Sequence, residues 1–297
     1  MSTATASDPA LPRRQLGTYL RELRNENGLT IAEAAKLMQW TPSMLQRLET
    51  AKIDGPRDAD IRELCRIYDA DTEKTEALIG LAHQANEKSW WHEYGDVIRR
   101  GFDMYIGLEG NAEGLRIHQS DLVPGLLQTG DYARAIISSD RAVGDHEETA
   151  RRVQLRLRRQ KSIMRAGGTR VDAIIGEATL RRVMGSRKVM IDQLRHLDQM
   201  STKPNISLRV LPFSAGCPAG EPLGSFVILD FRDDERGRPT QPTVVYLEGF
   251  TGELYLEKRP VVARFQKAFE DLRSSALTIQ DSRNFLRHII REHERAA

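Results

Sequence analysis

The chain has few cysteines, few aromatic residues and no long apolar run. Only Cys65 and Cys217 are cysteines among its 297 residues, and aromatic residues make up 6% of the total. Two cysteines so far apart do not suggest a disulfide framework, and they suit a reducing compartment. No apolar run is long enough to span a bilayer, and residues 1–10 lack the apolar core of a signal peptide. We therefore expect a cytoplasmic protein with no membrane partner.

The sequence also lacks the patterns of common catalytic and cofactor sites. It has no Cys-x-x-Cys and no glycine-rich phosphate loop, and His288 and His293 have no evident third ligand for a metal. Cys217 lies in a loop rich in glycine and proline, where a thiol is accessible, but no familiar motif pairs it with a base. We expect neither an enzyme nor a bound cofactor or metal.

An excess of charge of one sign is absent from the chain as a whole. It carries 44 Lys and Arg against 42 Asp and Glu, so no general affinity for nucleic acid is indicated. Locally, residues 11–53 carry seven Lys or Arg against four Glu, whereas the stretch that follows is richer in acids. A modestly basic face of this kind is sufficient for a dimer that binds DNA through two helices.

Residues 30–50 have the pattern of two short helices joined by a tight turn. Thr30 is a good N-cap for the first helix, and Thr41 followed by Pro42 begins the second. Only Gln39 and Trp40 lie between the apolar, core-facing residues of the first helix and those of the second. The two helices must therefore cross steeply. This is the helix-turn-helix geometry, by which proteins present a helix to DNA.

Helices on both sides complete a predicted bundle of five. One covers residues 13–27, one covers residues 57–68 after an Asp54-Gly55-Pro56 break, and one begins at Asp71. The apolar residues expected to face its core are Leu16, Leu20, Leu23, Ile31, Ala34, Ala35, Met38, Leu45, Leu48, Ile61, Leu64, Cys65, Ile67, Leu78 and Leu81.

The bundle resembles the DNA-binding domain of the Xre family, the Cro and phage-repressor type. Residues 43–49 match that family's recognition helix well. Two positions depart from the family pattern: Ile31 stands where a Gln often contacts phosphate, and Gln39 stands where the turn often has Gly. The resemblance implies that the second and third helices form the DNA-binding motif.

In this geometry the outward residues of the recognition helix enter the major groove. Those residues are Ser43, Met44, Gln46 and Arg47. Gln pairs with adenine and Arg with guanine, whereas Met44 offers only an apolar contact to a thymine methyl. Alternatively, Arg47 pairs with Glu49 or with a helix dipole. The residues expected to contact phosphate are Thr30, Thr41, Lys52 and Arg14. The expected partner is double-stranded DNA carrying an inverted-repeat operator, bound by a homodimer.

The length of the chain leaves room for a second domain behind the bundle. We predict a disordered N-terminus over residues 1–12, the DNA-binding domain over residues 13–86 and an α+β domain over residues 87–297. Helices are expected over residues 96–114, 148–165, 260–272 and 278–293, and strands over residues 115–118, 171–175, 206–211, 225–231 and 243–247. The last two strands are expected to form a hairpin. The fold class is thus a mainly α five-helix DNA-binding bundle followed by an α+β regulatory domain.

The predicted helix over residues 148–165 places Val153, Leu157 and Met164 on one side and many arginines on the others. Such a run of charge is usually a solvated face. The alternative is a surface for an acidic partner or for the DNA backbone.

Several strings of the second domain resemble the regulatory domain of actinobacterial Xre-type regulators. The longest covers residues 121–136, and others are residues 108–109, 158–160, 176–182, 193–194, 208–212, 224–229 and 244–248. The resemblance implies a small protein partner encoded nearby, in a pair likened to an antitoxin and its toxin. The residues proposed for the partner or ligand surface are Val123, Pro124, Gly125, Leu126, Gln128, Tyr132 and Arg134, with the loop over residues 213–224 as a second candidate.

Two functional classes remain. The first is a sequence-specific transcriptional regulator whose second domain senses a small protein partner or ligand. The alternative is an antitoxin-like protein-binding module that sequesters a small partner, in which DNA binding serves only autoregulation. An Arg47→Ala substitution separates them, because the regulator would lose its function and the module would keep its partner.

Overall fold

The chain forms two compact units, divided in sequence between His92 and Glu93. The computed structural model describes residues 10–53, 56–86, 90–99, 101–140, 144–165, 167–232 and 241–295. Residues 1–9 of the expected disordered N-terminus, Asp54-Gly55 of the expected break and residues 233–240 of the expected hairpin loop lie outside these ranges.

The first unit is a helical bundle, as predicted. Its described helices are α1 (Ala10–Glu26), α2 (Ile31–Leu37), α3 (Pro42–Glu49), α4 (Asp58–Ile67) and α5 (Thr72–Ala85), and a 3₁₀ helix follows at Trp90–Tyr94. The first helix begins at Ala10, earlier than the predicted start at Arg13. Most of the predicted core residues are buried, including Leu16, Leu45, Leu64 and Cys65 with no exposed area. The exceptions are Ile31, Met38, Ile67 and Leu81, which are only partly buried against this core.

Helices α1 to α4 end in the same way. The residue after each C-cap has a left-handed backbone: Gly28 (φ +67°), Gln39 (+56°), Ala51 (+58°) and Asp69 (+49°). The next N–H then bonds to the carbonyl five residues earlier, as Trp40 does to Ala35 at 2.8 Å and Lys52 to Arg47 at 2.7 Å. This is the Schellman arrangement, which usually has glycine at the left-handed position. The tight turn of the helix-turn-helix therefore forms even though Gln39 replaces glycine.

The second unit combines helices with a mixed sheet, which confirms the predicted fold class. Its helices are α6 (Phe102–Asn111), α7 (Gly130–Ser139), α8 (His146–Arg159), α9 (Lys161–Met164), α10 (Glu177–Arg181), α11 (Arg187–Met200), α12 (Arg259–Ser275) and α13 (Ile279–Arg295). Its strands are β1 (Gly114–Gln119), β2 (Arg170–Gly176), β3 (Ile206–Leu211), β4 (Phe226–Asp230), β5 (Val244–Gly249) and β6 (Gly252–Leu256). Short 3₁₀ helices lie at Gly125–Leu127 and Phe213–Ala215.

The six strands form one sheet in the order β3-β2-β1-β4-β5-β6. The neighbours β1 and β2 are parallel, as are β2 and β3, whereas the other neighbouring pairs are antiparallel. Both faces of the sheet are covered: Ile117 and Val171 belong to the core that includes Leu194 of α11 and Leu286 of α13, while Ile228 packs with residues of α12 on the other face. The predicted pairing of β4 with β5 is confirmed.

Several predicted elements of the second unit are wrong in extent. The helix expected over residues 96–114 covers only Phe102–Asn111, because Gly101 has a left-handed backbone and the chain enters β1 at Gly114. The helix expected over residues 148–165 is divided at Gln160 into α8 and α9. The sequence analysis also missed β6, α10 and α11.

The assignment of faces over residues 148–165 was wrong in part, although Val153 is buried as predicted. Leu157 and Met164 are exposed, at 40% and 51%, whereas Leu155 and Ile163 are buried. The arginines do not form a solvated face, because most of them make ion pairs within the second unit. These pairs are Arg151 with Asp96, Arg152 with Glu148, Arg158 with Glu93 and Arg159 with Glu109.

Candidate nucleic-acid interface

The recognition helix α3 exposes one face and buries the other. Thr41 caps it, since its hydroxyl oxygen accepts a hydrogen bond from the Met44 N–H at 3.3 Å, and Pro42 takes the first helical position. Leu45 and Leu48 are buried in the bundle core. The four residues predicted to read bases, Ser43, Met44, Gln46 and Arg47, are all exposed. The structure therefore gathers them on the free side of one short helix.

Arg47 is held in place by its own helix end. Its Nη2 donates a hydrogen bond to the carbonyl of Lys52 at 3.2 Å, across the left-handed turn at Ala51. The alternative pairing with Glu49 is wrong, because the Glu49 carboxylate points into the bundle and is bound by another arginine. Arg47 therefore faces outward, with further N–H groups able to bind a base edge.

Arg24 and Glu49 form a buried ion pair beneath the recognition helix. Nε and Nη2 of Arg24 donate to the two carboxylate oxygens at 2.7 and 3.0 Å, and Nη1 donates to the Leu29 carbonyl at 2.7 Å. The pKa of Arg24 is raised, chiefly by its hydrogen bonds to Glu49. The sequence analysis missed this pair. One signal was available, because Glu49 follows Leu48 and lies four residues after Leu45, on the inward side of α3.

Close packing of α1 also fixes the end of α3. A Cβ atom on Gly17 would lie 2.7 Å from the Leu48 carbonyl oxygen and 2.8 Å from that of Glu49. Only glycine permits the two backbones to approach so closely, because carbonyl oxygens cannot move aside as a flexible side chain can. The orientation of α3 therefore depends on α1 through both Gly17 and Arg24.

The residues predicted to contact phosphate differ in their surroundings. Thr41 and Lys52 are exposed. The Thr30 hydroxyl accepts from the Glu33 N–H at 3.2 Å and donates to the Glu33 carboxylate at 2.7 Å, in a capping box that lowers the pKa of Glu33. A phosphate contact by Thr30 would have to compete with that carboxylate. The expectation for Arg14 is wrong, since its side chain is only 8% exposed and belongs to the bundle interior.

Comparison with known families agrees with these two units. Residues 15–78 match a helix-turn-helix domain. Residues 102–288, more than half of the chain, match the family described as domain of unknown function (DUF5753). The chain belongs to this family. No curated protein and no solved structure gives a significant match.

Most of the residues proposed as a partner or ligand surface are buried within the DUF5753 region. Val123, Leu126, Gln128 and Tyr132 are at most 3% exposed, and Pro124 is also buried. They cannot form an outer contact surface in this conformation, because the 3₁₀ turn and α7 pack them into the sheet core. Gly125 is half-buried and Arg134 is exposed.

Three members of that set instead line a cavity inside the DUF5753 region. Val123, Gly125 and Gln128 form part of its wall, together with residues of α6, α7 and α8. Gln128 is fixed there, since its amide donates to the Val123 carbonyl at 2.6 Å and accepts from Arg156 at 2.7 Å. The structure therefore places these three residues in the wall of a partly open pocket.

The second candidate loop, over residues 213–224, is more open. Phe213 is 63% exposed, and Cys217 is an exposed free thiol. Among the described residues, no cluster of three His, Cys, Asp or Glu side chains is arranged to hold a metal ion. His293 is buried, with Nε2 3.1 Å from the Leu180 carbonyl oxygen. No helix in the described ranges is long and apolar enough to cross a membrane.

Proposed function

We propose that the protein is a sequence-specific DNA-binding transcriptional regulator of the Xre type. One observation carries this proposal: α3 exposes Ser43, Gln46 and Arg47 on one face while Gly17 and the Arg24–Glu49 pair hold its opposite side. A helix that reads base edges must be presented in a fixed orientation, because each bidentate contact depends on position and angle.

The proposed contacts of each residue with DNA follow from side-chain chemistry. Gln46 pairs with adenine and Arg47 with guanine, Ser43 hydrogen-bonds to a base edge, and Met44 packs against a thymine methyl. Thr41 and Lys52 bind phosphates on either side of the helix and set its register without reading sequence.

We further propose that a homodimer binds an inverted-repeat operator. An eight-residue recognition helix reaches few base pairs, so two half-sites are needed for the affinity of a specific regulator. The DUF5753 domain is proposed to receive the signal, from a small protein partner or a ligand. Such a signal must bind one state of the protein better than another, because equal affinity for both states shifts no equilibrium.

The test is genome-wide DNA occupancy of the tagged full-length protein and of its Arg47→Ala variant. The matched control is Arg66→Ala, an exposed arginine of α4 that pairs with Glu63. We expect sharp peaks over a shared inverted repeat for the wild type and the control, and loss of these peaks in Arg47→Ala.

Peaks that are absent, or that persist unchanged in Arg47→Ala, would contradict the proposal. A pull-down for a small bound protein would then test the antitoxin-like module in its place. No catalytic step is part of the proposal, since base readout and signal binding are both non-covalent.

A further inference from the structure

The second unit contains a cavity of about 320 Å³ that the proposed DNA contacts do not use. This volume lies at the lower end of the range for small-molecule sites. Part of its wall is apolar and comes from Phe102, Leu122, Ile136 and Leu155. The rest is charged, because four arginines line it, Arg99, Arg152, Arg156 and Arg159, together with Asp140 and Glu248.

Three of these arginines are already neutralised by carboxylates. The pairs are Arg99 with Asp140 at 2.6 Å, Arg152 with Glu148 at 2.7 Å and Arg159 with Glu109 at 2.7 Å. Glu248 also lines the cavity, 3.5 Å from Arg99. These contacts place four carboxylates against the three arginines.

Arg156 differs from the other three. Its Nη1 donates to Gln128 Oε1 at 2.7 Å, a neutral acceptor, and no carboxylate of the described residues forms an ion pair with it. Burial, together with the neighbouring charge of Arg159, lowers the pKa of Arg156 to about 10. Glu248 and Glu109 act on Arg156 only at longer range. Arg156 is therefore the one arginine of this cavity wall that no carboxylate of the described residues contacts, and burial makes such a charge costly.

The backbone at Gly125 leaves space beside the Arg156 guanidinium group. A Cβ atom on Gly125 would lie 3.8 Å from Nε of Arg156 and 3.8 Å from Nη1 of Arg159, at ordinary contact distance. Two guanidinium groups thus meet next to a residue without a side chain. Planar guanidinium groups bind carboxylate and phosphate oxygens with paired hydrogen bonds.

We propose that this cavity binds a small organic anion, whose acidic head pairs with Arg156 and whose apolar body lies against Phe102, Ile136 and Leu155. A carboxylate and a phosphate monoester share the chemistry that the site requires. If the protein is the regulator proposed above, this anion is its effector. That last step rests on the proposed function, whereas binding itself does not.

The experiment measures binding to the full-length protein by calorimetry, with no DNA present. The probes are octanoate, hexyl phosphate and the uncharged octanamide. We expect at least one anion to bind with a Kd between about 1 μM and 1 mM, and octanamide to bind at least about tenfold more weakly. The comparison of octanoate with hexyl phosphate tells which anionic head the site prefers.

Variants then locate the site. Arg156→Gln is expected to weaken anion binding at least about tenfold, since it removes the positive charge and the guanidinium donors. Arg156→Lys keeps the charge but loses the planar pair of donors, so its affinity is expected to lie between that of the wild type and that of Arg156→Gln. Arg273→Gln is the matched control, an exposed arginine on α12 that pairs with Glu270 outside the cavity, and should bind as the wild type does.

Three results would overturn the proposal: no binding of either anion, equal binding of octanamide, or full affinity in Arg156→Gln. A melting curve of each variant shows whether it is folded, and Arg156→Lys provides the test if Arg156→Gln is not. Because no DNA is involved, failure of the regulator proposal would leave this result unaffected, and the reverse also holds.

Discussion

Arg24 donates hydrogen bonds to both carboxylate oxygens of Glu49, and the two side chains are 8% and 1% exposed. The pair joins the last residue of the recognition helix to α1, and the third donor of Arg24 extends the connection to the loop before α2. A buried ion pair of this kind adds little net stability over apolar residues, but removal of one partner is costly. The pair therefore acts mainly to fix the position of α3.

Arg24→Met is expected to destabilise the bundle by about 3 to 5 kcal/mol, because it leaves the Glu49 carboxylate buried without a partner. The double substitution Arg24→Met with Glu49→Met should recover most of this loss. Urea denaturation followed by circular dichroism measures both. Arg66→Met is the control, since its exposed pair with Glu63 should matter little. A double variant as unstable as Arg24→Met would contradict the explanation.

Gln39→Gly and Ala51→Gly are each expected to stabilise the bundle by up to about 1 kcal/mol. In the wild type both residues have a left-handed backbone, at φ values of +56° and +58°, and each carries a side chain that strains this conformation. Gly28→Ala places a side chain at the equivalent end of α1 and should destabilise by a similar amount. Thermal unfolding of the three variants checks the signs. Destabilisation by Gln39→Gly would show that its side chain makes a contact that outweighs the backbone strain.

Gly17→Ala is expected to lower stability by about 1 to 3 kcal/mol, since the new methyl would press on the carbonyl oxygens of Leu48 and Glu49. It should also weaken binding to every DNA sequence, because α3 must move. Gly80→Ala is the matched change within α5, where a Cβ meets nothing within 4 Å, and should stabilise by about 1 kcal/mol. Equal effects of the two substitutions would rule out the proposed close contact.

Arg47→Ala is expected to cost about 1 to 3 kcal/mol at one base position and to relax specificity there. Lys52→Ala should weaken binding to all sequences alike and reduce the dependence of affinity on salt. Titrations of operator variants at several salt concentrations distinguish these effects. A uniform loss on every sequence for Arg47→Ala would mean that it binds phosphate, as its position near Lys52 at the end of α3 also permits.

Acidification is expected to destabilise the second unit. Burial lowers the pKa of His118 and of His196 below the ordinary value of 6.5, so the unfolded chain takes up protons before the folded chain does. Stability should therefore be fully present above about pH 7 and fall as the pH drops through 6.5 toward the folded pKa. Melting temperatures measured across this range check the sign, and His118→Leu with His196→Leu should flatten the profile. An unchanged melting temperature down to about pH 5 would contradict it.

The bundle was largely predictable because its helices carry their own signals. Leucines at helical spacing, the caps Thr30 and Thr41, and Pro42 all act within a few residues of each other. The inward position of Glu49 was visible in the sequence, but its partner Arg24 and the contact of Gly17 were not predictable, because they join segments separated by 25 residues or more.

In the second unit, sequence patterns located five strands but missed β6, in which no residue is fully buried. The missed cavity shows the same limit. Arg156 and Gln128 are 28 residues apart and meet only in the folded chain. The string that holds Val123 and Gln128 was proposed as an outer surface, whereas these two residues are buried and line the pocket.

The order of the strands in the sheet has a consequence for biosynthesis. The neighbours of β1 are β2, which begins at Arg170, and β4, which begins at Phe226. The centre of the sheet therefore stays unfinished until a long stretch beyond β1 has left the ribosome, whereas the bundle needs only the first 92 residues. Domains generally fold as units, and N-terminal ones fold first during synthesis. On a nascent chain the recognition helix can thus be formed while the sheet of the second unit is still incomplete.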